Sequence, residues 1–245
     1  MTQPVDSRES FCEFVNRAPN VAIHDLAKGG ALALVMAHPD DETLGCGMAL
    51  AAAAQNIERL ELILVTDGEN SHPGSRKYPG SALTALRTLE LKGALDELVG
   101  DLPTRITRLH MPDGASNFDM IREDKLAEIC HQLKNRDVRT IWSNWAGDPH
   151  CDHEMAAAIA LSVGEQLSIP VWSCPIWGRF ETPSLLRTSA CTFFGERENL
   201  MKRAAMGHYR SQLTALIDDA PDGFLMPSDK VDRFAAEPEI FIRER

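Results

Sequence analysis

The sequence predicts an α/β fold built on a mainly parallel sheet with helices on both faces. Short runs that are too continuously apolar to keep a wet face mark strands buried on both sides. Long helical patterns separate successive runs, as right-handed βαβ crossovers require. The length of 245 residues suffices for one substantial core, so residues 1–245 are expected to form a single domain.

In chain order, residues 31–37 (ALALVMA) read as the first buried strand and 43–54 as the Ala-rich helix after it. Residues 60–66 (LELILVT) form the second strand, followed by a helix over 81–99. A third strand at 105–109 leads to a helix at 122–135, and a fourth at 138–142 leads to a helix at 154–166. The fifth strand is 170–174, and a further helix, 196–209, follows Gly195. The tail 221–245 is loop-rich with a candidate last strand at 239–243. Residues 70–80 (NSHPGSRKYPG) carry the Gly, Pro and Ser content of an exposed, mobile loop. No repeat, low-complexity tract or linker interrupts this order.

A net charge of −11 and a pI near 5.2 argue against a nucleic-acid or anionic-membrane partner, because the 25 Lys and Arg form no basic stripe. Met1 to Phe14 lacks a basic and then apolar leader, and no run of 18 apolar residues occurs, so a cytoplasmic location without a membrane span is expected. Monomer and homo-oligomer both remain open. The six cysteines (Cys12, Cys46, Cys130, Cys151, Cys174, Cys191) lack CxxC spacing and are expected to be reduced thiols. Cys46 and Cys151 lie near the motifs below, where small apolar filling competes with a thiol role.

Two clusters carry the chemistry. His38-Pro39-Asp40-Asp41-Glu42 follows the first strand, and His150-Cys151-Asp152-His153 follows the fourth. In parallel sheets ligands bind at the carboxyl ends of strands, so the two can converge on one cleft, with Asp67 and Asp113 at other strand ends. A catalytic zinc takes three His or carboxylate ligands and keeps a position open, and His38, Asp41 and His153 would supply that set. The metal would lower a water's pKa from about 15.7 toward roughly 7, which makes hydroxide available at neutral pH. Asp40, beside a ligand but pointing elsewhere along the turn, is the candidate base. His150 would stabilise the developing oxyanion as imidazolium and help protonate the leaving group, and Asp152 would orient a histidine. The same donor set also accommodates iron (Fe2+) in place of Zn2+.

Simpler readings exist for each cluster taken singly. Asp40 and Asp41 could complement the dipole of the helix that follows, and the histidines of the second cluster could cap a helix at the surface. The pairing of both clusters behind buried strands favours a site. Gly45-Cys46-Gly47 is not a dinucleotide fingerprint, since Leu50 holds the third glycine position; these small residues let the helix approach the sheet closely. No HExxH, GxSxG or P-loop occurs.

The two motifs, AHPDDE after a strand and DPHCDH later, resemble the signatures of the LmbE/PIG-L family of zinc-dependent N-acetylglucosaminyl deacetylases. The resemblance extends to Thr66-Asp67-Gly68, to Arg87 and Glu90, to residues 109–114, and to Lys202 with His208-Tyr209-Arg210-Ser211-Gln212. It implies a Rossmann-like fold and hydrolysis of an N-acyl group from a small amino sugar or its conjugate. It also implies zinc ligation by His38, Asp41 and His153, Asp40 as base, His150 as acid or electrostatic catalyst, and substrate contacts from Arg87 and Asp113. Cys151 stands where the family has proline, and Met48 where glycine is common. Arg87 could equally be a helix residue paired with Glu90, and His208 a core or rim histidine. Trp142, Trp145, Trp172 and Trp177 divide between core packing and stacking on a sugar. Arg76 and Lys77 are either solvated loop charges or attractants for an anionic aglycone. The rival readings are a hydratase or lyase on the same metal site, another amide hydrolase, and a non-catalytic carbohydrate-binding protein.

Overall fold

The computed structural model describes residues 17–181 and 190–244. Cys12 and the segment Met1 to Phe14 lie outside the described residues, so the expectations placed on them do not meet the structure. The described strands are β1 (Ala31–Met36), β2 (Arg59–Thr66), β3 (Thr104–Met111), β4 (Val138–Asn144), β5 (Val171–Cys174), β6 (Ala190–Phe193) and β7 (Glu239–Arg243). They form one sheet in the order β3-β2-β1-β4-β5-β7-β6, in which β7 runs antiparallel to β5 and β6 and the other pairs are parallel. The helices are α1 (Ile23–Leu26), α2 (Asp41–Ala53), α3 (Gly80–Val99), α4 (Glu123–Asn135), α5 (Cys151–Leu167), α6 (Gly178–Glu181), α7 (Glu196–Met206), α8 (Arg210–Leu213) and α9 (Ser228–Ala236), with a 3-10 turn at Phe118–Met120.

Alternation along β1 shows why both faces are covered. Leu32, Leu34 and Met36 pack into one core layer with α2 and α3, while Ala31, Ala33 and Val35 pack into the other with α4 and α5. The expected mainly parallel α/β architecture is therefore present. Among the described residues no helix is long and apolar enough to cross a membrane.

The differences from the sequence reading have local causes. β4 continues past Trp142 because Ser143 and the amide oxygen of Asn144 are buried with partners: Ser143 Oγ donates to Val35 O (2.9 Å) and Asn144 Oδ1 accepts from Ala37 N (2.8 Å). β3 is longer than expected and largely exposed, since it is an edge strand. α2 starts at Asp41 and α5 at Cys151, earlier than the apolar patterns suggest, so Asp41 and His153 both sit in first helical turns. The helix expected at 196–209 ends at Met206, and the short α8 begins beyond the expected range at Arg210. The tail holds α9, and β6 has no counterpart among the expected strands.

Residues 70–80 are tied down rather than loose. Asp219 accepts from Ser75 Oγ (2.7 Å), Arg76 N (2.9 Å) and Lys77 N (2.9 Å), and Phe224 N donates to Ser71 O (2.7 Å).

Candidate metal centre

From β1 the chain proceeds outward through β2 to β3 in one direction, and from β4 to β5 in the other. The carboxyl ends of β1 and β4 thus flank the point where strand order reverses, the place where such sheets hold ligands. His38 leaves β1 there, and His150 and His153 follow β4.

Three donor atoms gather around one carboxylate oxygen. Asp41 Oδ2 lies 3.4 Å from His38 Nδ1 and 3.6 Å from His153 Nε2. It also accepts from His38 N at 2.9 Å, which ties the first turn of α2 back to the end of β1. One ligand atom from each of His38, Asp41 and His153 falls within 4.8 Å of the others, and so does a set from His38, His150 and Asp152. The first set fits a metal better, because Asp152 is already saturated. Its Oδ2 contacts His38 Nε2 (3.0 Å) and accepts from Gly114 N (2.8 Å), and its Oδ1 accepts from Ser116 N (3.1 Å) and Ser116 Oγ (2.6 Å).

The outer nitrogens of both histidines meet carboxylates, which leaves the inner ones free to face Asp41. His38 Nε2 lies 3.0 Å from Asp152 Oδ2 and 3.1 Å from Asp113 Oδ1. His153 Nδ1 lies 2.8 Å from Asp148 Oδ2, and Asp148 is held in turn by Ile176 N (3.0 Å) and Gly178 N (2.7 Å). Such partners set the tautomer and aim of a metal-binding histidine. Asp148 escaped the sequence reading although it opens the DPHCDH motif, because an Asp before Pro149 carries the signature of a turn. Burial lowers the basicity of His38, but Asp113, Asp152 and Asp41 overcome this and raise its pKa well above the ordinary value. Burial likewise works against Asp41, yet His153 and His38 hold its carboxyl well below the usual range.

Asp40 sits beside this set without joining it. Its φ of 121° lies in the left-handed region, a conformation that costs a non-glycine residue about 1–3 kcal/mol. The surroundings hold it there: its N–H donates to Glu42 Oε2 (3.1 Å), and its carbonyl accepts from Thr43 N (3.0 Å) and Leu44 N (2.8 Å). Its Oδ2 lies 3.3 Å from Arg87 Nη2. Burial, with the nearby Asp41 and Glu42 carboxylates adding, pushes its pKa up to about 8 against the opposing charges of Arg87 and His38.

Arg87 is buried and does not pair with Glu90, which is spent on Ser211. Besides Asp40, it donates to Pro39 O (2.6 Å) and Gly68 O (3.1 Å). Gly68 is required here: a Cβ at that position would lie 1.8 Å from Arg87 Nη1, and its φ is +68°. Asp113, besides meeting His38, accepts from Asn70 N at 2.9 Å. Both residues line the cavity, but most of their polar atoms serve the protein itself.

His150 caps α5, with Nδ1 accepting from Asp152 N at 3.3 Å, and its ring stands 4.8 Å from that of His38 and 4.9 Å from that of His153. Burial, followed by His38 and His153, lowers its pKa. The imidazolium expected from sequence is therefore disfavoured; a neutral ring whose Nδ1 is an acceptor carries its proton on Nε2.

His38, Asp40, Asp41, His150 and His153 line a cavity of about 590 Å³ together with polar Asn70, Ser71 and Gln212 and aromatic Trp177 and Phe224. Of the four tryptophans only Trp177 lines it; Trp142 is core, with Nε1 donating to Leu26 O. Arg76 and Lys77 do not line it, and Lys77 pairs with Asp218 at 2.5 Å. His208 does not line it and is part-exposed, 3.6 Å from Glu97. Cys46 is buried and Cys151 exposed rather than a buried filler, both are free, and burial raises both thiols.

Residues 33–163 match the family model described as PIG-L, GlcNAc-PI de-N-acetylase. No curated protein matches the chain significantly. Among solved structures, a deacetylase of the teicoplanin biosynthesis pathway superposes with TM-score 0.62 at 19% identity, over 87% of this chain and 97% of that one. N,N'-diacetylchitobiose deacetylase from Pyrococcus horikoshii gives 0.61 at 14% identity, over 99% and 94%. The conserved protein TT1542 from Thermus thermophilus gives 0.61 at 20%, over 88% and 94%. At such identities the likeness establishes the fold, which is the Rossmann-like α/β arrangement expected from the sequence.

Proposed function

The chain belongs to the PIG-L family of GlcNAc-PI de-N-acetylases, and from that premise we propose that it is a metal-dependent hydrolase that removes an N-acetyl group from an amino sugar or amino-sugar conjugate. The observation that carries this reading is a three-donor set of His38, Asp41 and His153 with an unliganded carboxylate, Asp40, held beside it. Two imidazoles and one carboxylate with an open position are the donor set of a catalytic zinc rather than of a closed structural site, and the carboxylates behind both histidines suit that use. Zinc is the metal proposed, and iron satisfies the same donors.

Bound there, the metal would supply Lewis acidity, lowering the pKa of a water and polarising the acyl carbonyl. The remaining work falls to the chain. Asp40 takes a proton from the attacking water, and Arg87 fixes its carboxylate through Oδ2. A pKa near 8 suits a base only if something lowers it slightly, and a cation at Asp41 acts in that direction. His150, neutral with a proton on Nε2, donates a hydrogen bond to the acyl oxygen as negative charge develops. The water oxygen joins the carbonyl carbon, the C–N bond breaks, and the proton held by Asp40 passes to the departing nitrogen. Acetate and a primary amine result.

Residues beyond the family match contribute Ile176, Trp177, Gln212 and Phe224 to the same cavity, which supports reading the chain as one functional domain. The test is release of acetate and amine from N-acetylglucosamine derivatives by metal-stripped protein with and without zinc. Zinc-dependent release is expected. Silence with every acylated amine, together with turnover of a keto acid, would replace this reading with the hydratase alternative.

A further inference from the structure

The cavity above the metal set has a mixed lining. Asn70, Ser71 and Gln212 present polar groups suited to sugar hydroxyls, whereas Leu44, Ile176, Trp177, Phe224, Leu225 and Met226 supply an apolar lining. That apolar wall is graded by depth. Leu44 and Ile176, which line the cavity together with the metal set, are only 1% and 2% exposed and mark its buried end. Trp177 and Phe224 are part-exposed, and Leu225 at the mouth is 49% exposed.

The wall is also preformed. Trp177 and Phe224 meet edge to face with ring centroids 5.9 Å apart, and both pack on the core cluster that contains Leu44, Ile176 and Met226. Phe224 N donates to Ser71 O, and Met226 N donates to Gln212 O at 2.9 Å, so the backbone that carries the wall is anchored to the polar side. Lys230 Nζ stands 4.7 Å from the centre of the Trp177 ring and steadies the indole. A rigid apolar surface beside a reaction site lowers the ordering cost of an apolar ligand part.

We propose that Trp177, Phe224 and Leu225 form a subsite for an apolar aglycone, an aryl or alkyl group carried by the amino sugar. This rests on the deacetylase reading. With the amide at the metal set and the ring against Asn70, Ser71 and Gln212, the substituent that points toward the mouth is the one with room to be large.

The test compares N-acetylglucosamine as methyl, p-nitrophenyl and octyl glycosides, using zinc-loaded full-length protein and measuring amine release. The aryl and octyl glycosides are expected to exceed the methyl glycoside in kcat/KM by roughly tenfold, chiefly through a lower KM, the size of effect an apolar pocket gives for a small apolar group. In Leu225→Ser, at the exposed rim, and in Phe224→Ala, that ratio should fall toward one. The ratio is taken within one preparation, so loss of folded protein cancels. Equal kcat/KM for all three glycosides, or a ratio unchanged in both variants, would overturn the subsite while leaving the deacetylase reading intact. Methyl glycosides with longer N-acyl chains gaining as much as the aryl glycoside would assign the wall to the acyl group and overturn it as well. No release from any glycoside would remove the reading on which it rests, and the subsite with it.

Discussion

Lys202 Nζ lies 2.8 Å from Glu239 Oε1 with neither side chain exposed, and the pair bridges a break in the helix that carries Asp41. Within α2, Cys46 has φ −144° and ψ 23°, so the helix is two segments joined at a kink. A break orphans carbonyls on one side and N–H groups on the other. Lys202 Nζ donates to Leu44 O (2.8 Å), and Glu239 accepts from Met48 N (2.7 Å) and Ala49 N (2.8 Å), so one ion pair closes both ends. Gly47 makes room: a Cβ there would meet Lys202 Cγ at 3.2 Å. The short first segment, with Asp41 on it and Asp40 before it, is thereby fixed to α7 and β7.

Lys202→Met leaves Glu239 buried without a counter-charge and is expected to destabilise the protein by about 3–5 kcal/mol. Adding Glu239→Leu should cost much less than the sum of the two single changes, because one uncompensated charge is removed. Urea unfolding of the two single variants and the double variant measures this. Strict additivity would show that the two side chains act independently.

Asp148 aims His153 at Asp41, so Asp148→Asn should weaken zinc binding by about 10- to 100-fold, the usual cost of losing a carboxylate behind a metal-binding histidine. His153→Ala should lose the metal altogether. Competition with a chelator of known affinity reads both. Wild-type zinc affinity in Asp148→Asn would mean that Ile176 and Gly178 alone hold this corner.

Much of this is legible in the sequence, for physical reasons that also explain what is not. β1 and most of β2 are buried on both faces, and burial leaves the apolar run ALALVM in β1 and LILV in β2. β6 has four residues and no periodicity to read. α9 carries a readable pattern, with Val231, Phe234 and Ala235 on one face of SDKVDRFAA, but the surrounding Pro and charges suggest a loop. The donors of the candidate site lie in two compact motifs because strand ends bring them together. Its supporting groups do not: Asp148 looks like a turn former, Phe224 looks like an ordinary core aromatic, and nothing in the sequence separates Trp177 from the other three tryptophans until the cavity is seen. The imidazolium expected of His150 is disfavoured first by burial and then by the nearby His38 and His153 rings, and both depend on position in space, which spacing in sequence does not give.

Asp219 anchors the loop whose Asn70, Ser71 and Pro73 line the cavity. Ser75 first, then Lys77 N and Arg76 N, hold its pKa at about 2, below the ordinary 3.8. For a lowered carboxylate the anchoring is fully present above 3.8 and is lost only as pH falls through about 2. The anchor is thus constant over the working range, and Asp219→Ala should raise KM several-fold at every pH from about 5 to about 9 with a smaller change in kcat. Steady-state kinetics on any hydrolysed glycoside provides the check; an effect confined to kcat would remove the loop from substrate binding.

Asp40 combines a left-handed backbone with a buried, proton-holding carboxyl, a combination that stability alone would not favour. Asp40→Asn should lower kcat by about 100- to 10,000-fold with metal content retained, the contribution of a positioned base. Metal-free protein offers a second readout. With a folded pKa near 8 against an ordinary 3.8, the wild-type carboxyl contributes stability that is fully present below 3.8 and lost as pH rises through about 8. Asn does not titrate, so the stability of Asp40→Asn relative to wild type should climb with pH between about 4 and 8, by at most about 1.4 kcal/mol per pH unit, and level off above. Losing the contact with Arg87 adds an offset, but the carboxyl's titration still sets the slope. Denaturant unfolding in the presence of a chelator across that range decides it: a flat difference would return Asp40 to an ordinary pKa and leave it no advantage as a base near neutrality.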